Sequence, residues 1–164
     1  MIRLTCALAA LSLAAPAAAQ DLDFDPSPLT ACLAAAEDGP AMRACVGLAA
    51  DACLAANGYA TVVESACRSR EADLWDDRLN AAYRAARDRA EAFDRDSGLP
   101  AGAPTRADTL RDMQRAWIAF RDTTCAYEAA GWGGGTGAGP ARAGCHLRLT
   151  ADQAIYLETG GDGA

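Results

Sequence analysis

Six cysteines placed as three sequential pairs, each pair astride a helix-breaking segment, constrain this chain more than any other feature. Cys32 and Cys45 flank Glu37-Asp38-Gly39-Pro40, Cys53 and Cys67 flank Asn57-Gly58, and Cys125 and Cys145 flank a glycine-rich stretch. A disulfide needs Cα atoms within roughly 7 Å. An unbroken helix from Cys32 to Cys45 would hold them about 20 Å apart, so each pair can bond only where the chain reverses between its members. Cys45 and Cys53 are expected on one shared helix, about 12 Å apart, and cannot bond without melting it. The pairing that follows is Cys32 with Cys45, Cys53 with Cys67 and Cys125 with Cys145. The near-repeat of "CLAAAEDGPAMRAC" and "CLAANGYATVVESAC" then spells two stapled helical hairpins sharing their middle helix.

Reading these cysteines as disulfides depends on compartment. The opening "MIRLTCALAALSLAAPAAAQ" has one early cation, Arg3, an apolar run from Leu4 to Ala15, and small residues Ala17-Ala18-Ala19 suited to signal peptidase. It reads as a cleaved signal peptide over 1–19. The run is too short to span a bilayer, and nothing later is long and apolar enough. Cys6 lies inside the leader and not at the cleavage point, so no membrane anchor is expected in the mature chain. A periplasmic or secreted location follows, where an even set of six cysteines is a disulfide framework.

The mature length suits one domain with a real core. Residues 20–60 form an N-terminal disulfide-bonded hairpin segment packed with a helical core over 61–158. The formal net charge is −7 and grows more acidic once Arg3 leaves with the leader, which argues against generic binding to nucleic acid or anionic lipid.

Alanine and leucine dominate, and β-branched residues never cluster into an alternating run, so the class is all-α: a small disulfide-stapled bundle of about five helices. Ser27 before Pro28 starts the first helix, and the Glu37 to Pro40 segment stops it and restarts the chain. Asn57-Gly58 ends the second. Thr61 with Glu64 reads as a capping box for a third helix reaching about Phe93. On that helix Trp75, Leu79, Ala82, Tyr83, Ala86, Ala90 and Phe93 form a core-facing stripe. A fourth helix runs from near Asp108 to Gly131, with Leu110, Met113, Trp117, Phe120 and Thr124 on one stripe. Gly131 to Pro140 is expected to be irregular, and a last helix runs from about Ala141 to Leu157.

Catalytic chemistry finds little purchase. His146, the one histidine, adjoins Cys145, but a sulfur bonded to Cys125 is no nucleophile. Paired Cys or His at zinc spacing is absent from the sequence. Asp73, Asp76 and Asp77 on the third helix read as solvated carboxylates. The glycines of 131–139 lack the lysine and the strand-to-helix setting of a phosphate loop. The expectation is a protein that is not an enzyme, with no cofactor and no metal.

Two stretches are more specific than a generic bundle needs. "DDRLNAAY" places Asp76, Leu79, Asn80 and Tyr83 at helical intervals, and "QRAWIAFRDTTC" does the same for Gln114, Trp117, Arg121, Asp122 and Cys125. They read as a polar cluster tying the third helix to the fourth, with Arg121 buried and paired with Asp76. Together with the glycine-rich segment, Cys145 and Leu149-Thr150, these stretches resemble the lysozyme inhibitor LprI-like N-terminal domain family over about Cys53 to Leu157. The resemblance implies an exported, helical, disulfide-bonded domain, inhibition of lysozyme by at least one member, and no catalytic residues. The lipid-anchor cysteine of the mycobacterial lipoprotein that gives the family its name is absent here, and the Cys32 to Cys45 hairpin lies ahead of the matching region.

Two functions are then in play. One is inhibition of a lysozyme or related cell-wall hydrolase, with Trp132 able to stack in a sugar subsite and Arg142 and His146 able to engage the enzyme's carboxylates. The other is an envelope interaction module with a different protein partner.

Overall fold

Helix is the only regular structure among the described residues, 22–160, of the computed structural model. The segments are α1 (Ser27–Ala35), α2 (Gly39–Arg43), α3 (Leu48–Asn57), α4 (Thr61–Asp96), α5 (Arg106–Ala130) and α6 (Ala138–Glu158). Without the five-residue α2 the bundle is one of five helices. The expected signal peptide lies outside the described residues.

α4, α5 and α6 form an up-down-up layer whose order can be read from its cross-links. Cys125 of α5 bonds Cys145 of α6, and further along Gln153 of α6 donates to Gln114 of α5 at 3.0 Å, so these two helices are antiparallel. Asp76 meets Arg121, and Asp94 meets the start of α5, so α4 and α5 are antiparallel as well. α6 therefore lies parallel to α4: Arg68 donates to the Pro140 carbonyl near one end, and Arg89 to the Leu157 carbonyl near the other.

α3 packs beside the N-terminal half of α4, joined by Cys53–Cys67, and α1 packs on α3. One buried cluster runs through both parts, joining Leu29, Ala49, Ala50 and Leu54 to Trp75, Leu79, Leu147 and Ile155. Alanine is the usual spacer in this core, with Ala49, Ala151 and Ala154 fully buried. Small side chains let backbones approach closely but bury little apolar area each, so the staples carry part of the stability.

Several sequence expectations need correction. Cys45 and Cys53 do not share a helix. The chain turns at residues 44–47, and Gly47, at φ +100°, separates α2 from α3 in a conformation that other residues rarely adopt. The pairing stands nonetheless, with all three expected disulfides formed and Cα separations of 5.7, 5.7 and 5.3 Å.

The capping box at Thr61 is not formed. Ala60 occupies the cap position, and Glu64 turns forward to pair with Arg68 at 2.6 Å. α5 starts at Arg106, where the Thr105 hydroxyl accepts from the Asp108 amide. α6 begins at Ala138, with Pro140 in its first turn, so the irregular loop is 131–137.

Phe93 and Phe120 are exposed, not core. Arg89 already lies level with Leu157 near the end of α6, so the α4 turn carrying Phe93 runs past its partner. Cys125 and Ala129 set the buried line of α5, and Phe120, five residues before Cys125, is rotated about 140° from it.

Candidate partner-binding surface

The C-terminal end of α5 and the start of α6 are held by the buried Cys125–Cys145 disulfide and, outside it, by an Arg148–Glu128 ion pair at 2.7 Å. Between them runs the 131–137 loop. A Cβ on Gly137 would fall inside the Trp132 indole, so glycine there lets the ring lie across the loop backbone. Trp132 stays 56% exposed even so.

The outward face of α5 carries two further exposed aromatics. Phe120 is 56% and Tyr127 81% exposed; a separation of seven residues sets them on one face, about 10 Å apart along the axis. Sequence spacing alone does not mark Tyr127 as a surface residue. Its signal was available, since it repeats the position of Phe120 two turns on, but an aromatic at helical spacing reads first as core.

The specific motifs meet between α4 and α5. Arg121 stacks on Trp117 with its guanidinium carbon 4.9 Å from the ring centroid, and its Nε donates to Asp122 at 3.0 Å. Asp76 approaches Arg121 at 3.9 Å while accepting from Asn80 Nδ2 at 2.9 Å. The side chain of Arg121 is 18% exposed and that of Asp76 50%, so this is a rim pair and not the buried pair expected. Leu79 is core, Tyr83 packs against it, and Gln114 reaches α6 through Gln153.

His146 lines a small cleft of about 210 Å³ with Ser69, Asp73, Asp76, Arg121 and Thr150. Burial pushes its pKa below the usual histidine value, and the cations of Arg121 and Arg142 push the same way against the opposing pull of Asp122. Arg142, one turn earlier on α6, is exposed. Of the three candidate partner-binding residues, Trp132 and Arg142 thus face solvent, whereas His146 turns into the cleft beneath α5.

Two carboxylates that the sequence reading missed organise the helix ends. Glu71, fully buried on α4, accepts from the amides of Gly47 and Ala50 and from Trp75 Nε1. Asp94, near the other end of α4, accepts from the amides of Arg106 and Ala107 at 2.8 and 2.9 Å. Each caps a different helix from a distance, which local sequence spacing does not reveal.

Among the described residues no group of three or more His, Cys, Asp or Glu is arranged to hold a metal ion, and no helix is long and apolar enough to cross a membrane.

The family model described as "Lysozyme inhibitor LprI" matches residues 53–157. Among curated proteins, an uncharacterized 17.7 kDa protein in the puhA 5' region of Rhodobacter capsulatus is 32% identical over 136 residues, covering 80% of this chain and 83% of that protein. No solved structure matches.

Proposed function

Because the chain belongs to the lysozyme inhibitor LprI family, we propose that it is an exported, non-enzymatic binding protein that blocks a lysozyme-type cell-wall hydrolase through the outer face of α5 and the 131–137 loop. The observation that carries the choice of surface is the exposure of Phe120, Tyr127 and Trp132 on one helix face and the loop that follows it. Exposed tyrosine and tryptophan dominate the energetics of protein interfaces. Here they stand on a scaffold fixed by Cys125–Cys145, which limits the ordering entropy lost on binding.

Arg142 supplies an exposed donor for a carboxylate of the enzyme's cleft, where two carboxylates must stay free to work. The chain's net charge of −7 favours encounter with a basic enzyme. Three disulfides and the leader-like first residues support an extracytoplasmic location.

The test is lysis of a cell-wall suspension by lysozymes of several types in the presence of the oxidised protein. Tyr127→Ala combined with Trp132→Ala should weaken inhibition at least about tenfold with the fold intact by circular dichroism. Full inhibition by that variant moves the surface elsewhere. A correctly bonded parent protein that inhibits none of the lysozymes supports the interaction-module reading instead.

A further inference from the structure

At the end of the bundle remote from Cys125–Cys145, a second feature has no part in the surface above. A cleft of about 320 Å³ opens between the last turns of α4, the first turns of α5 and the end of α6. Its floor is aliphatic, made by Ala86, Ala90, Leu110, Met113 and Leu157. The α4 side of this seam presents alanines, which leave a trough where larger side chains would have filled the space between the helices.

Two arginines stand at its rim. Arg89 makes one long hydrogen bond, 3.3 Å, to the Leu157 carbonyl, and Arg106 lies over the Phe93 ring at 5.2 Å. Neither guanidinium forms an ion pair with a carboxylate among the described residues. Nearby acids are engaged elsewhere: Asp94 by the amides of Arg106 and Ala107, Glu158 by Arg78, and Asp108 and Asp112 by Arg111. Both arginines are exposed and line the cleft, so their guanidinium groups are open to a ligand anion at the mouth of the apolar trough.

We infer that this cleft is a binding site for a free acyl carboxylate, with the chain lying along the alanine-lined seam and the carboxylate held between Arg89 and Arg106. Guanidinium groups recognise a carboxylate by charge and by parallel N–H donors. Tyr156, which also lines the cleft and is partly exposed, adds a hydroxyl donor at the rim. The trough has an aliphatic floor with no aromatic side chain on which a ring could stack, which suits a linear hydrocarbon. Its volume is at the small end of ligand sites, roughly 300–1,000 Å³, so it takes one chain of medium length and not a whole phospholipid.

The experiment is calorimetric titration of the oxidised protein with straight-chain alkanoates below their micellar concentrations. Affinity should rise about fourfold per added methylene until the cleft is full, then level off. Decanol and a decyl ammonium of the same chain length should bind at least about tenfold more weakly than decanoate, and Arg89→Gln and Arg106→Gln should each weaken decanoate by a similar factor. Ala86→Leu, which fills the trough without touching either arginine, should abolish binding in a protein whose melting temperature is retained. The inference is overturned if decanol matches decanoate, if neither arginine variant changes the affinity, or if no alkanoate binds saturably. Because the cleft and the aromatic surface occupy opposite ends of α5, the arginine variants should leave any lysozyme inhibition unchanged, so the two proposals fail independently.

Discussion

The buried carboxylate of Glu71 on α4 accepts a 2.6 Å hydrogen bond from the amide of Gly47, the residue at which the chain swings from α2 into α3. Its second oxygen takes the Ala50 amide at 2.8 Å, so one side chain satisfies donors of the first turn of α3 and places negative charge at the positive end of that helix. Trp75 Nε1 donates from the next turn of α4, which fixes the carboxylate's rotamer. Glu71→Gln keeps the shape but turns an NH2 group toward a donor; with its oxygen left to Gly47 and Trp75, the buried Ala50 amide loses its acceptor. The expected loss is about 3 kcal/mol in urea unfolding. A midpoint within error of the parent would contradict this role.

The three disulfides differ in access. Cys53, Cys67, Cys125 and Cys145 are buried, whereas Cys32 is only partly so. A mild reductant should open Cys32–Cys45 first, and peptide mapping of partly reduced protein should find free thiols at those two positions before any others. Replacing Cys125 and Cys145 together by serine removes a 20-residue link and should cost about 3 kcal/mol on the chain-entropy estimate. Simultaneous opening of all three would mean that access does not set the order.

What the sequence made legible was chain reversal, because Gly, Pro and Asn punctuate helices locally and cysteines require proximity. Reversal gave the three pairings, while composition gave the all-α class and helical spacing the contact of Asp76 with Arg121. What escaped it was long-range. The single helix expected across Cys45 and Cys53 is interrupted because Glu71, more than twenty residues later, stabilises a break at Gly47. The Thr61 capping box failed because Glu64 found Arg68. Phe93 and Phe120 carry a core-like pattern but end up exposed, since helix overhang and the rotation imposed by Cys125 are properties of the assembled bundle.

Exposure also sets the worth of the Arg121 cluster. Asp76 is half exposed and 3.9 Å from Arg121, so water screens the pair and its coupling should be below about 1 kcal/mol. Stacking on Trp117 contributes a comparable amount. Arg121→Met should therefore cost about 1 kcal/mol, well short of the several expected when a buried carboxylate is stranded. A double-mutant cycle with Asp76→Asn measures the coupling directly, and a value above about 2 kcal/mol would show the pair to be shielded from water.

His146 gives the fold a pH dependence whose sign can be stated. Its pKa in the folded protein is lowered, first by burial in the cleft beneath α5 and then by the cations of Arg121 and Arg142. Below the ordinary histidine value of about 6.5 the unfolded chain binds the proton more readily than the folded one. Stability from this residue is thus fully present above that value and is lost as pH falls toward and through the folded pKa. Melting temperatures between about pH 7.5 and 5 should decline for the parent and decline less for His146→Asn, which carries no proton in this window. Carboxylate titration is common to both proteins, so the difference between the two curves isolates the histidine. A proton-resonance titration of the His146 ring should find its midpoint below 6.5, and a midpoint above that value would place the ring in a setting that favours its charge.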